Sequence, residues 1–224
     1  MAERVTVTAA DGHSFDAWRA APKSETLGGV VVLHAVFGLT SHMGDVCDSW
    51  ADEGFAAIAP SLFDRDKPGL VHPYSHDGVE AGSRNYAAIA DDRILADIEA
   101  SRVALAGFGK VAISGFCTGG SWAWTAGDRL AFDAQVNFYG SHVVQRLDQH
   151  PGCPTIMHYG DDDFVVPMAD IEKIQAANPE VTIFVYPGAG HAFFNPEQVD
   201  NYHSEATSLA WRRSLDFLRE QFGK

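Results

Sequence analysis

A cysteine, a histidine and a run of three aspartates carry the chemistry available to this sequence. Cys117 sits in Ser114-Gly115-Phe116-Cys117-Thr118-Gly119-Gly120. The apolar run 110–114 leads into this segment and a helix-like stretch, 121–130, leads out. Strand, glycine turn and helix are the setting in which a nucleophile is held at the tip of a sharp bend, in the pattern glycine-x-nucleophile-x-glycine. Such a turn lifts the sulfur above the C-terminal edge of a sheet, where open α/β sheets bind ligands. It also puts the sulfur at a helix N-terminus, whose free N–H groups and dipole favour a thiolate. A nucleophile needs a base. His191 ends Gly188-Ala189-Gly190-His191, a flexible loop that follows an apolar run. Between the two, Asp161, Asp162 and Asp163 stand at the end of another apolar run, 153–160. Nucleophile, acid, base is a chain order that acyl transfer can use.

The elements that must position these groups follow from hydrophobic pattern. Residues 4–8 and 13–18 read as a hairpin turning at Asp11-Gly12. Residues 28–36 and 55–60 are continuous apolar runs, the mark of strands covered on both faces. Residues 110–115, 132–140, 153–160 and 181–188 read as further strands. Helical spacing appears at 41–54, 87–107 and 168–178, and the closing stretch from Asn195 is mostly helical, with Arg212 and Arg213 on its wet side. Alternating strands and helices predict an α/β fold with a mostly parallel, doubly wound sheet flanked by helices. The 224 residues fit a single domain, 1–224. Residues 64–80, polar and rich in Gly, Pro and His, read as a long surface loop or lid.

Composition narrows the partners. The formal charge of −14 argues against nucleic-acid and anionic membrane-surface binding. The first fifteen residues carry Glu3 and Arg4 and no apolar core, unlike a signal peptide. No apolar run approaches the ~20 residues of a membrane span. These features predict a cytoplasmic protein. Three widely spaced cysteines form neither a disulfide framework nor a zinc pattern. The histidines lack ligand spacing, so no metal site is expected.

The sequence resembles the dienelactone hydrolase family of α/β-hydrolases. The pieces that carry the resemblance are GFCTGG, HYGDDDFVVP, YPGAGHAFF and the early VVLHAVFGLT…WADEGFAAIAPSLFDR. The family pattern is a Cys–Asp–His triad, which the resemblance maps onto Cys117, Asp163 (four residues before Pro167) and His191. It implies an α/β-hydrolase fold and cleavage of an ester or lactone through a cysteine thioester. The oxyanion would be held by the backbone N–H groups of Thr118 and Val36. That scheme requires neither metal nor organic cofactor. The expected partner is a small-molecule ester or lactone, handled by a monomer or homodimer.

Two departures from the family pattern bear on mechanism and substrate. Where well-known members place a glutamate that activates the thiol, this chain has Ala35, after His34. Where they place a substrate-binding arginine four residues after the histidine, it has Asn195, and Arg84 is the nearest match for their other arginine. Phe37, Tyr139, Phe193 and Phe194 would make the pocket aromatic. With Ala35, Phe37, Arg84, Tyr139, Phe193 and Asn195 as candidate substrate contacts, the expectation is an ester less anionic or bulkier than dienelactone. A second class of function stays open, a hydrolase-fold protein that binds or senses a small carbonyl ligand without turning it over.

Overall fold

The computed structural model describes residues 1–223. The backbone divides into two compact units, Met1–Ala112 and Ile113–Lys224. In the first, β1 (Glu3–Thr8) and β2 (Ser14–Ala20) pair antiparallel about Gly12, whose φ of +86° suits a residue without a side chain. β2 runs antiparallel to β4 (Phe55–Pro60), and β4 runs parallel to β3 (Gly28–Leu33). The strand order is β1-β2-β4-β3. Every residue of β3 and β4 is buried, which is why both read as unbroken apolar runs rather than alternating ones. α1 (Ser41–Asp52) turns Met43, Val46, Cys47 and Trp50 inward, and the chain leaves it through Gly54 at φ +94°.

In the second unit the order is β5-β6-β7-β8. β5 spans Val111–Phe116, β6 Ala134–Phe138, β7 Thr155–Gly160 and β8 Thr182–Tyr186. β6, β7 and β8 are parallel, with Gln135 opposite Thr155 and Ile156 opposite Thr182. α4 (Thr118–Arg129) follows β5, and α5 (Met168–Ala177) lies between β7 and β8 in sequence. α6 (Ser204–Phe222) closes the chain. The eight strands, mostly parallel, and their flanking helices give the α/β class expected of the sequence.

Three sequence expectations change. Residues 64–80 are not one loop. A short 3₁₀ turn (Leu62–Arg65) is followed by α2 (His76–Ala88), with the Ser75 hydroxyl accepting the Gly78 N–H at 3.2 Å as its cap. α2 was hard to see because it packs through glycines. Its buried residues are Gly78, Gly82 and Tyr86, and a Cβ on Gly82 would run into the Val36 carbonyl. A helix that makes its close contact with bare backbone leaves no apolar stripe. The long helix expected at 87–107 is the end of α2 plus α3 (Asp91–Leu105), separated by Ile89 and Ala90 in extended backbone. Asp91 and Asp92 begin the new helix, where acidic side chains meet the positive end of the dipole. Arg213 also departs from expectation. Its guanidinium lies 4.2 Å from the Phe184 ring centre and 5.4 Å from that of Tyr186, so it covers β8 rather than facing bulk water.

Two histidines are built into the core as neutral rings. His34 offers Nε2 to the Leu62 N–H (3.1 Å), with Nδ1 at 2.7 Å from the Ala35 carbonyl oxygen and 3.1 Å from the Tyr86 hydroxyl. Burial pushes its pKa down to about 4. His158 lies between Tyr186 Oη (2.8 Å) and Ser214 Oγ (3.0 Å), and burial pushes its pKa down to about 3. Both values fall below the ordinary histidine value of 6.5, so the unfolded chain takes up protons first as pH drops. Their stability is fully present above pH 6.5 and is lost progressively as pH falls toward the folded values. Between pH 7 and 5 each should contribute a loss of about 2 kcal/mol. Urea unfolding across that range should show the decline, and His158→Phe should flatten it. An unchanged slope in the variant would refute the assignment.

Candidate active site

The elbow is strained, and its surroundings hold the strain. Cys117 has φ 55° and ψ −119°, a region that L-residues rarely enter. Its N–H donates to the Phe138 carbonyl (3.0 Å), and its carbonyl accepts from the N–H groups of Ser121 and Ser141, both at 3.2 Å. The bend is therefore tied on both sides to the C-terminal end of β6. Glycine is required where these segments touch. A Cβ on Gly115 would strike the Gly119 carbonyl, and one on Gly120 would lie 2.7 Å from Asn137 Oδ1 and 2.9 Å from Gly140 Cα. Buried Asn137 completes the clamp, donating Nδ2 to the Gly120 carbonyl (2.8 Å) and accepting the Gly140 N–H (3.0 Å). Because the first helical bond of α4 is Ser121 N–H to Cys117 O, the amides of Thr118, Gly119 and Gly120 have no partner within the helix.

The loops after β7 and β8 bring up the acid and the base. Asp163 is buried in the turn after β7, and Oδ1 accepts the Val165 and Val166 N–H groups at 2.8 and 2.9 Å. Its Oδ2 lies 2.8 Å from His191 Nδ1. With Oδ1 occupied by amides, Oδ2 is left for the imidazole. Of the three aspartates, Asp163 alone meets the histidine, but Asp161 is more than a solvated turn residue. Its carboxylate accepts the Gly188 N–H at 2.7 Å and pins the start of the histidine loop. Close packing of backbone pins the loop's other end, since a Cβ on Gly160 would run into the Ala189 carbonyl. The Tyr139 ring meets the His191 ring edge to face at 5.1 Å. Among the described residues, non-glycine positive φ occurs at Cys117, Tyr139 and Ala192, each of them in or beside this group.

Electrostatics couple sulfur and ring. Burial opposes ionisation of the Cys117 thiol, but the charge of His191, helped by the hydroxyls of Thr118 and Ser141, outweighs it and holds the pKa below the ordinary thiol value. Burial likewise opposes the His191 imidazolium, yet the Cys117 thiolate and the Asp163 carboxylate raise its pKa above the ordinary histidine value. His191 Nε2 is buried without a hydrogen-bond partner among the described residues, so its attraction to the sulfur acts chiefly through charge. Cys117 keeps partial exposure, whereas His191 and Asp163 are buried. The other thiols differ. Burial raises Cys153 to about 11 and pushes Cys47 higher still.

The remaining sequence candidates fall in two places. Tyr139, Phe193 and Phe194 join Phe116 and Phe138 in a buried aromatic cluster: Phe116 and Phe138 stack at 4.7 Å, and their rings lie 4.8–6.5 Å from those of Tyr139 and Phe194. Phe193 packs on Tyr139 at 5.3 Å. Asn195 is buried and accepts the Glu197 N–H at 2.9 Å, so its side-chain oxygen shapes its own turn. In the first unit, Ala35, Val36 and Phe37 lie on the turn after β3, where the Phe37 ring meets Tyr74 at 4.6 Å. Arg84 stands on the exposed face of α2, 3.5 Å from Glu80. His34, beside Ala35, has its two ring nitrogens engaged as described above. Sequence reasoning missed Ser121, Ser141 and His142, which line the back of the elbow. They join it through bonds to Cys117 and to one another, which residue types alone do not signal.

A family model described as the dienelactone hydrolase family matches residues 15–222. The carboxymethylenebutenolidase of Pseudomonas putida is 28% identical over 228 residues, covering 97% of this chain and 96% of its own. A solved structure from Klebsiella pneumoniae subsp. pneumoniae, described as "Putative Dienelactone Hydrolase", superposes with a TM-score of 0.85 at 27% identity, covering 97% of this chain and 98% of its own. A thermophilic esterase from Thermogutta terrifontis shares the fold at a TM-score of 0.69 and 19% identity, covering 98% of this chain and 92% of its own.

The thiol is the accessible test of this geometry. Alkylation by iodoacetamide follows the thiolate fraction. Lowering pH through the thiol pKa protonates the sulfur and slows the reaction; removing the imidazolium moves that transition upward. His191→Gln should therefore shift the alkylation profile of Cys117 to higher pH and cut the rate at pH 7 by about tenfold. Coincident profiles would show that the ring does not govern the sulfur.

Proposed function

The chain belongs to the dienelactone hydrolase family of carboxylic ester hydrolases, and from that premise we propose that it cleaves a carboxylic ester or lactone through a thioester on Cys117. The observation that carries the reading is the 2.8 Å contact between His191 Nδ1 and Asp163 Oδ2, made by a ring whose charge acts on the elbow thiol.

The reaction proceeds in two halves. Cys117 thiolate attacks the carbonyl carbon, and charge gathers on the carbonyl oxygen as it becomes tetrahedral. The Thr118 N–H, without a partner inside α4, is the donor assigned to that charge. Collapse breaks the bond to the alkoxy oxygen, which takes the proton from His191 Nε2, leaving a thioester. His191, now neutral, removes a proton from water, and the hydroxide attacks the thioester. The second tetrahedral intermediate expels the thiolate and releases the acid, while the imidazolium pairs again with sulfur. Asp163, through its 2.8 Å contact with Nδ1, keeps the Nδ1–H tautomer in place. A thiolate leaves readily, so the second half is undemanding for activated and cyclic esters, and amides are poor substrates.

Carboxymethylenebutenolidase is the activity named for the Pseudomonas putida relative. For this chain we place neutral or bulkier esters ahead of a carboxylated lactone. The Asn195 oxygen is spent on the Glu197 N–H, Arg84 is solvated beside Glu80, and the residues flanking His191 include Phe193 and Phe194. A carboxylate would meet little fixed positive charge from these positions. The substitutions at 35 and 195 also favour a second reading, a protein that binds carbonyl ligands without turnover.

Hydrolysis of p-nitrophenyl esters, with mass spectrometry of the quenched protein, separates the two. The hydrolase reading expects turnover, an acyl adduct on Cys117, and a loss of kcat/KM of about a thousandfold or more in Cys117→Ala. Thiol labelling without ester turnover would favour the binder. Within a panel of lactones and aryl esters, neutral substrates should exceed carboxylated ones by about tenfold, or about 1.4 kcal/mol in transition-state binding. Equal turnover of the carboxylated members would overturn the preference.

A further inference from the structure

The turn after β6 brings a second imidazole toward the nucleophile. Beyond Phe138 the chain folds back over the elbow through Tyr139, Gly140, Ser141 and His142. The Ser141 N–H bonds the Cys117 carbonyl at 3.2 Å. The His142 N–H bonds Ser121 Oγ at 2.9 Å, and Ser121 Oγ in turn lies 3.5 Å from the same Cys117 carbonyl. With Asn137 clamping Gly140 to Gly120, these bonds fix Ser141 against the nucleophile. Ser141 is buried, and its Oγ lies 2.8 Å from His142 Nδ1.

A serine hydroxyl has one proton, and its neighbours decide where it points. If His142 Nδ1 accepted that proton, the lone pairs of Oγ would face an anionic sulfur. If Nδ1 carries the proton instead, Ser141 accepts from the ring and its own proton is free for the thiolate. The anion selects the second arrangement. We propose that His142 Nδ1–H, Ser141 Oγ and Cys117 Sγ form a hydrogen-bond chain that stabilises the thiolate independently of His191. In this chain Ser141, whose N–H already holds the Cys117 carbonyl at 3.2 Å, is the group assigned to meet the sulfur, and His142 is a positioning residue acting through it. The catalytic meaning of the chain rests on the hydrolase reading above; its existence does not.

The charges around the chain are consistent with it. The groups acting on the sulfur are His191, the Thr118 hydroxyl and the Ser141 hydroxyl. Burial, with Arg146 and His191 nearby, lowers the pKa of His142, so its ring is held neutral. A neutral ring with the proton on Nδ1 is all that the chain requires, and it avoids setting a second cation beside His191.

The test is the pH profile of Cys117 alkylation by iodoacetamide in the full-length protein, with melting temperatures recorded alongside. Ser141→Ala should move the profile to higher pH and slow alkylation at pH 6 by about three- to tenfold. His142→Ala should move it in the same direction by a smaller amount. His142→Asn, whose amide can set an N–H near the Nδ1 position, should restore most of the shift. A merely structural turn would lower melting temperatures in these variants without moving the profile, and that result overturns the proposal. Should Ser141→Ala not fold, the His142 pair decides: a shift in the alanine variant reversed by asparagine supports the chain, and profiles coincident with the parent refute it. Absence of ester turnover in the parent protein would sink the hydrolase reading and leave this measurement intact.

Discussion

The site depends on a backbone conformation that a cysteine would not adopt unaided. At φ 55° the Cys117 Cβ crowds its own peptide unit, a cost of order 1–3 kcal/mol. The surrounding bonds make every relaxed alternative worse. Releasing the bend would break the N–H bond to Phe138, both amide bonds to the Cys117 carbonyl, and the register by which Asn137 joins Gly120 to Gly140. The glycines at 115 and 120 are the sequence's part in this arrangement, since each occupies a contact too close for a Cβ. What the strain secures is a sulfur in front of open amides at a helix start, with partial access to solvent.

The charges then follow from position. A buried imidazole would ordinarily stay neutral, as His34 and His158 do. His191 differs in having a carboxylate on one nitrogen and a thiolate near the other, and the two anions outweigh burial. Asp163 can play its part because two backbone amides hold its other oxygen. The histidine loop is secured by other residues as well, by Asp161 on Gly188 and by the close approach of Gly160 to Ala189. The loops after β7 and β8 thus meet through both side-chain and backbone bonds, while the elbow after β5 is bonded to the end of β6.

Much of this was legible in the sequence, for identifiable reasons. β3 and β4 announced themselves because burial on both faces leaves an unbroken apolar run. The elbow was legible because glycine at 115, 119 and 120 brackets a nucleophilic residue between strand and helix. His191 stood out because it ends a glycine loop in the right chain order. Other features left no trace in one dimension. α2 presents glycines to its neighbour, so no periodic stripe marks it. Whether Asp161, Asp162 or Asp163 meets the ring is decided by a turn only a few residues long, and composition is silent there. Ser141 and His142 belong to the elbow through backbone bonds to Cys117 and Ser121, a relation that residue types do not encode. Arg213 looked like a wet arginine, yet its stem and planar head lie across two aromatic rings.

A sulfur whose pKa is lowered and whose side is open to solvent is reactive toward more than carbonyl carbon. Peroxide attacks thiolates in preference to thiols, giving a sulfenic acid that reductant can reverse and further oxidation cannot. The features that fit Cys117 for the proposed acylation, a lowered pKa and access from solvent, also single it out for oxidation, whereas burial keeps Cys47 and Cys153 protonated. Handled without reductant, the chain would therefore be altered first at one atom, the one to which the proposed chemistry is assigned.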